Sequence, residues 1–278
     1  MERKKVEALL ILAFIVSVIG SLWIYLGQVP AEVLAKWPIT TNEEVTAKSF
    51  VLVIDPGHGG FDGGAEASDG TMEKDINLNI AMDLKEEAEA HGVTVILTRE
   101  DDQELIAKEE TASRKRSDLL ARKEIIEDAR ADLAVSIHLN SFPQDTGVYG
   151  AQVFYPKSQE GEQDLRTDEQ IPNYSGRDYG EKVQKSIEIN VPDGRERNAM
   201  GKDDILLFQS PSCPMILVEC GFLSNVEEAK RLQSPEYQQQ MASAIWNGIN
   251  EILCLEVKEK LPVIDSTNKN EKNELIHG

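Results

Sequence analysis

Three short apolar runs, each ending abruptly in a loop that carries a histidine or a glutamate, constrain this chain more than any other feature. Residues 50–54 run into Asp55-Pro56-Gly57-His58-Gly59-Gly60, residues 133–137 into His138-Leu139-Asn140, and residues 215–218 into Glu219-Cys220-Gly221. Apolar runs of this length, bounded by Gly and Pro, read as buried strands, and the loops at strand ends are where functional side chains gather. Between them the period changes. Ile76, Ile80, Leu84 and Ala88 recur every four residues, and Gly92 closes the pattern as a helix C-cap would. Residues 93–97 and 151–155 read as further strands, residues 113–132 and 179–189 as helices, and residues 205–208 as a short strand. Ser224 to Glu227 has the spacing of a capping box before a helix carrying Ala229 and Leu232. Ser234-Pro235 opens the last helix, with Tyr237, Met241, Ile245, Ile249 and Leu253 on its apolar face. Strands alternating with helices predict a single α/β domain, a three-layer α/β/α sandwich around a mixed sheet.

The chain has 278 residues, enough for one sizeable domain once its N-terminal segment is set aside. Arg3-Lys4-Lys5 precede an uncharged run over residues 8–26, and this run is long enough to cross a hydrocarbon core of ~30 Å. The basic cluster keeps the N-terminus in the cytoplasm, so residues 1–26 are expected to be a signal-anchor or transmembrane segment that exports the remainder of the chain. The run is longer than the core of an ordinary cleaved signal peptide, although Val29-Pro30-Ala31 offers small residues for cleavage to a secreted form. Residues 27–48 read as a tether, 49–255 as the catalytic domain and 256–278 as a charged tail. With 49 acidic against 29 basic residues the formal charge is -20, which disfavours nucleic acid as a partner because phosphate neutralisation needs clustered Lys and Arg.

Of the four histidines only His58 and His138 end strands; His91 precedes a helix-ending Gly and His277 lies in the tail. Two imidazoles and one carboxylate form a common open zinc site, since three protein ligands leave a fourth position for water. Glu73 directly precedes a helical pattern, where a dipole-stabilising charge competes with a ligand role. Glu219 is then a further carboxylate, free to act as base. The three cysteines contain no CxxC pair, and Cys220's place on a core strand favours a buried thiol, pointing away from Glu219, over a bridge to Cys213.

The Asp55–Gly60 loop, Glu73, Thr98-Arg99, Ser136-Ile137-His138-Leu139-Asn140 and Val218-Glu219-Cys220-Gly221-Phe222-Leu223-Ser224-Asn225 together resemble the zinc-dependent N-acetylmuramoyl-L-alanine amidases of the Amidase_3 type. The resemblance spans roughly residues 50–253, with the motifs in the family's order. It implies His58, Glu73 and His138 as ligands of Zn2+ and Glu219 as the catalytic carboxylate that moves a proton from water to the leaving amine. It also implies peptidoglycan as partner, at the bond between the lactyl group of N-acetylmuramic acid and L-alanine. Asn140 and Arg99 are candidate substrate contacts, Arg99 alternatively a structural ion pair, and Asp55 a candidate to orient a ligand imidazole. One anchor, a bare catalytic domain and no wall-binding repeat are similar to the germination-specific, spore-cortex amidases of the CwlD type. A vegetative wall amidase, a noncatalytic peptidoglycan-binding protein and a zinc peptidase are the alternatives, and a protein activator is open.

Overall fold

The structure, a computed structural model, describes residues 50–105, 111–159, 174–191 and 195–260. The expected anchor, tether and final residues, and most of the polar stretch after Pro156, lie outside them. No helix among the described residues is long and apolar enough to cross a membrane.

Among the described residues six strands form one sheet: β1 (Val51–Pro56), β2 (Thr94–Leu97), β3 (Leu133–Asn140), β4 (Gln152–Pro156), β5 (Met200–Lys202) and β6 (Met215–Phe222), in the order β2-β1-β3-β6-β4-β5. The pairs β1–β2, β1–β3, β3–β6 and β4–β5 are parallel and β4–β6 is antiparallel, so the sheet is mixed as expected. The helices are α1 (Glu73–Ala90), α2 (Thr111–Asp128), α3 (Gly176–Asn190), α4 (Val226–Leu232) and α5 (Pro235–Lys260). α5 thus continues past Glu256, where the charged tail was expected to begin.

Alternation along the strands separates two cores. Leu52, Ile54, Val135, Ile137, Val218 and Cys220 face one way, against Ile80 and Leu84 of α1, Val183 of α3 and Trp246 and Ile249 of α5. Val53, Ala134, Phe154 and Leu217 face the other way, against Ile126 of α2 and Leu207 and Phe208. Each fully buried aliphatic side chain contributes roughly 1.5–3 kcal/mol, so this two-sided pattern fixes the register of every central strand. Glu219 and Cys220 fall on opposite faces, and Cys213 and Cys220 are both buried.

Other local expectations fail, and the expected helix over residues 113–132 ends at Asp128. Residues 205–208 form a 3-10 turn at Leu206–Phe208 instead of a strand, with Phe208 N–H donating to the Ile205 carbonyl at 3.0 Å. Their apolar run is used to cover the sheet face, not to pair at its edge. The three-residue β5 was too short to show a period. α3 starts earlier than expected because Ser175 and Asp178 form a capping box, the Ser175 N–H donating to Asp178 at 2.7 Å. α4 is capped by Asn225, whose Oδ1 accepts from Glu228 N–H at 2.9 Å, and not by Ser224. Ser224 Oγ accepts from Phe142 N–H instead, and the buried Glu228 turns inward to accept from Phe222 and Gly150.

Candidate active site

The loop after β1 is shaped by two buried arginines. Arg99, only 2% exposed, donates from Nε to the Pro56 carbonyl at 2.9 Å and from Nη2 to the carbonyls of Gly57 (3.1 Å) and Lys74 (2.8 Å). Arg122, on α2 and 1% exposed, donates from Nη1 to Pro56 O and Asp55 Oδ1 at 2.8 and 2.7 Å and from Nη2 to the His58 carbonyl at 2.6 Å. These bonds hold His58 at φ 62°, a conformation that costs a non-glycine residue on the order of 1 kcal/mol. Gly57 is required by close approach: a Cβ there would overlap the His138 ring.

His138 projects from the end of β3 and Glu73 from the first turn of α1. Asp75 complements the helix dipole there, while Glu73 is 3% exposed and turned inward. Its Oε1 lies 3.2 Å from His58 Nε2 and 3.0 Å from His138 Nδ1, and accepts from Leu139 N–H at 3.0 Å and Asn77 Nδ2 at 3.3 Å. Its Oε2 accepts from Ala65 N–H at 2.8 Å. The three candidate ligand atoms lie within 4.8 Å of one another. Burial would raise the Glu73 pKa, but hydrogen bonds from His138 and His58 prevail and hold it below the usual carboxylate range. Burial likewise opposes a charged His58, yet bonds to Asp62 and Glu73 outweigh it and raise its pKa to about 9.

Glu219 stands beside His138 across the β3–β6 pair. Its Oε2 is buried and has no hydrogen-bond partner among the described residues. Burial pushes its carboxyl up, against the pull of the nearby His138. Both line a cleft of about 400 Å³ with His58, Phe61, Asp62, Leu119, Phe154, Lys202, Leu206 and Leu217. An acceptor-only oxygen without a donor, next to two imidazoles and a carboxylate that converge, fits a site built for a cation and a proton acceptor.

His58, Glu73, His138 and Glu219 are therefore brought together. Arg99 lies beneath the loop, its guanidinium donating to main-chain carbonyls and to no carboxylate among the described residues. Asn140 sits at the end of β3, its Oδ1 accepting from Ser141 N–H at 2.8 Å. Asp55 meets no imidazole among the described residues. It accepts from Thr98 Oγ1 (2.6 Å), Ser136 Oγ (2.7 Å) and Arg122, and these partners overcome burial to lower its pKa to about 2. The carboxylate that orients the His58 ring is Asp62, whose Oδ2 is 3.1 Å from Nδ1. Its position four residues after His58 was the available signal. Asn77 and Arg122 were also missed, both hidden in helices whose polar residues read as solvent-facing.

The family model for N-acetylmuramoyl-L-alanine amidase matches residues 52–251. The chain belongs to this family. It is 37% identical over 205 residues to the germination-specific N-acetylmuramoyl-L-alanine amidase of Bacillus subtilis, covering 72% of this chain and 78% of that one. Among solved structures it is similar to the CwlD amidase of Clostridioides difficile, determined in complex with the GerS lipoprotein. That likeness has a TM-score of 0.66 and 37% identity over 74% of this chain and all of the other. The amidase AmiC2 of Nostoc punctiforme follows at TM-score 0.59 and 35% identity, over 74% of this chain and 97% of that one. This amidase is thus a hydrolase of peptidoglycan, and its His58, Glu73 and His138 form a group that could hold a metal ion.

Proposed function

We propose that the metal is zinc and that this amidase trims spore-cortex peptidoglycan from the outer side of the cytoplasmic membrane. The convergence of His58, Glu73 and His138 beside Glu219, whose Oε2 has no hydrogen-bond partner among the described residues, carries the chemistry. When bound, zinc supplies Lewis acidity toward the amide carbonyl and acidifies water. Glu219 takes the proton of the attacking water and returns it to the alanine nitrogen, which would otherwise leave as a poor anion. Asp62 keeps the His58 ring in its orientation, and Arg122 and Arg99 hold the loop that presents it.

The cortex assignment is supported by the likeness to the germination-specific Bacillus subtilis enzyme and to Clostridioides difficile CwlD. The latter was solved with a lipoprotein, and we extend a protein partner to this chain on that basis. Anchoring is supported by Arg3-Lys4-Lys5 and the uncharged run over residues 8–26. Mass spectrometry of cortex from a deletion strain tests the cortex role. Muramic δ-lactam closes only after the stem peptide has left the muramoyl carboxyl, so the mutant cortex is expected to lack it while vegetative cells divide normally. Normal lactam, or chained vegetative cells, would move the enzyme to division or turnover. Fractionation tests the anchor: intact chain in membranes supports it, and a mature N-terminus at Glu32 establishes cleavage.

A further inference from the structure

Besides the two histidines, three lysine or arginine side chains line the Glu219 cleft, and their surroundings differ. Arg122 is buried and bonded to Asp55 and Asp118, and Lys115 Nζ bonds Asp62 Oδ1 at 2.8 Å. Lys202 has no carboxylate partner among the described residues; its Nζ instead lies 4.4 Å from the centre of the Phe154 ring. Its backbone pairs with Pro156 at the far edge of the sheet, and its side chain reaches back over Phe154, which pairs with Leu217 of β6. Phe154 and Leu217 share a core, and both line the same cleft as Glu219 and Lys202. The sheet order β1-β3-β6-β4-β5 therefore spreads four functions in sequence across the sheet. The histidines lie at the ends of β1 and β3, the proton carrier on β6, an apolar floor on β4 and a cation on β5.

A substrate amide has a direction on this track. Its carbonyl must lie by the metal ligands and its nitrogen by Glu219, so the peptide beyond the nitrogen continues across Phe154 toward the Lys202 ammonium. We propose that Lys202 binds a free carboxylate of the stem peptide on the leaving-group side of the scissile amide, making the enzyme selective for acidic stems. This rests on the proton-transfer role assigned to Glu219 above. The formal charge of -20 sharpens the effect, because an anionic protein repels an acidic peptide except where a cation faces it. An ammonium stacked on an aromatic face keeps its N–H groups available for a carboxylate, which a lysine already tied to an aspartate does not.

Lys202 also favours the charged form of Glu219, so the test has to separate substrate recognition from an effect on the base. The full chain is assayed on purified peptidoglycan, with L-alanyl-D-glutamate and its diamide as competing product analogues. In the wild type the free acid is expected to inhibit about tenfold more tightly than the diamide, the size of one charge-assisted hydrogen bond, with the difference shrinking in high salt. Lys202→Met should remove the difference by weakening inhibition by the acid alone, and Lys202→Arg should retain it; inhibition by the diamide reports that each variant is folded. Equal inhibition of the wild type by both peptides, or an acid preference that survives in Lys202→Met, would overturn the proposal. A Glu219→Gln variant that still hydrolyses peptidoglycan would instead sink the assignment of the base on which it rests.

Discussion

Replacing Arg122 by methionine removes the guanidinium under the His58 loop while keeping much of its volume. In the wild type it pairs with Asp55 and Asp118 and satisfies the carbonyls of Pro56 and His58. Asp55 titrates at about 2 in the folded chain. Relative to an ordinary aspartate near 3.9, that shift represents on the order of 2 kcal/mol of stability at neutral pH. Methionine leaves the buried carboxylate with only the Thr98 and Ser136 hydroxyls, and breaking one half of a buried pair costs about 3–5 kcal/mol. For a domain of roughly 200 residues this lowers Tm by about 6–20 °C at pH 7. The sign with pH comes from the two states of Asp55. In the wild type its contribution is complete above the unfolded pKa and is lost as pH falls through the folded value of about 2. In the variant burial acts without its cation and raises the folded pKa above the unfolded one, so the native state takes up a proton first. The Tm gap to wild type therefore narrows as pH drops from 7 toward ~4. Asp55→Asn combined with Arg122→Met should recover on the order of 2 kcal/mol relative to the sum of the single changes. Circular-dichroism melts of the four proteins at two pH values measure this. Additive single effects, or a gap that does not change with pH, would refute the pairing.

Glu219→Gln is expected to keep stoichiometric metal while losing hydrolysis, whereas His138→Ala should lose both; metal analysis alongside peptidoglycan turnover reads the difference, and full metal in His138→Ala would mean a wrong ligand. Gly64 has φ +71° and its added Cβ would press on the Glu73 carboxylate and the His58 ring. Gly64→Ala should therefore weaken metal affinity by about 10–100-fold, the range typical when groups supporting a ligand are disturbed; unchanged affinity by competition with a chelator would show that Glu73 is not positioned by this contact.

The strands that carry His58, His138 and Glu219 were legible because each is an apolar run stopped by a loop of special residues, a signal contained in about six neighbours. Glu73 was ambiguous alone, since a carboxylate opening a helix serves the dipole as readily as a ligand set. Only the fold turns it inward onto Leu139 and Ala65 N–H groups. Arg122 was invisible for the opposite reason. It lies among Lys115, Arg116, Lys123 and Glu124 on a helix whose charges read as a solvated face, and its partners Pro56 and His58 are more than sixty residues away in sequence. Arg99 was noticed but its setting was not, because a sequence shows that a guanidinium is present and not that main-chain carbonyls surround it. The 3-10 turn at Leu206–Phe208 shows the same limit: four apolar residues fit a strand or a turn equally well, and packing over the sheet decided between them.

A carboxylate oxygen buried in a cleft without a donor is destabilising to the molecule that carries it, and Glu219 Oε2, with no partner among the described residues, has that character. If Glu219 carries the proton in hydrolysis, selection for that activity retains it, since folding alone favours a neutral residue of the same shape at that position. In a duplicated gene released from the need to cut, position 219 should be among the first to drift, while His58, Glu73 and His138, which bond to one another and to the main chain, persist longer. Lineages descending from such copies would keep the fold and the His58-Glu73-His138 group and become silent wall-binding proteins by one substitution.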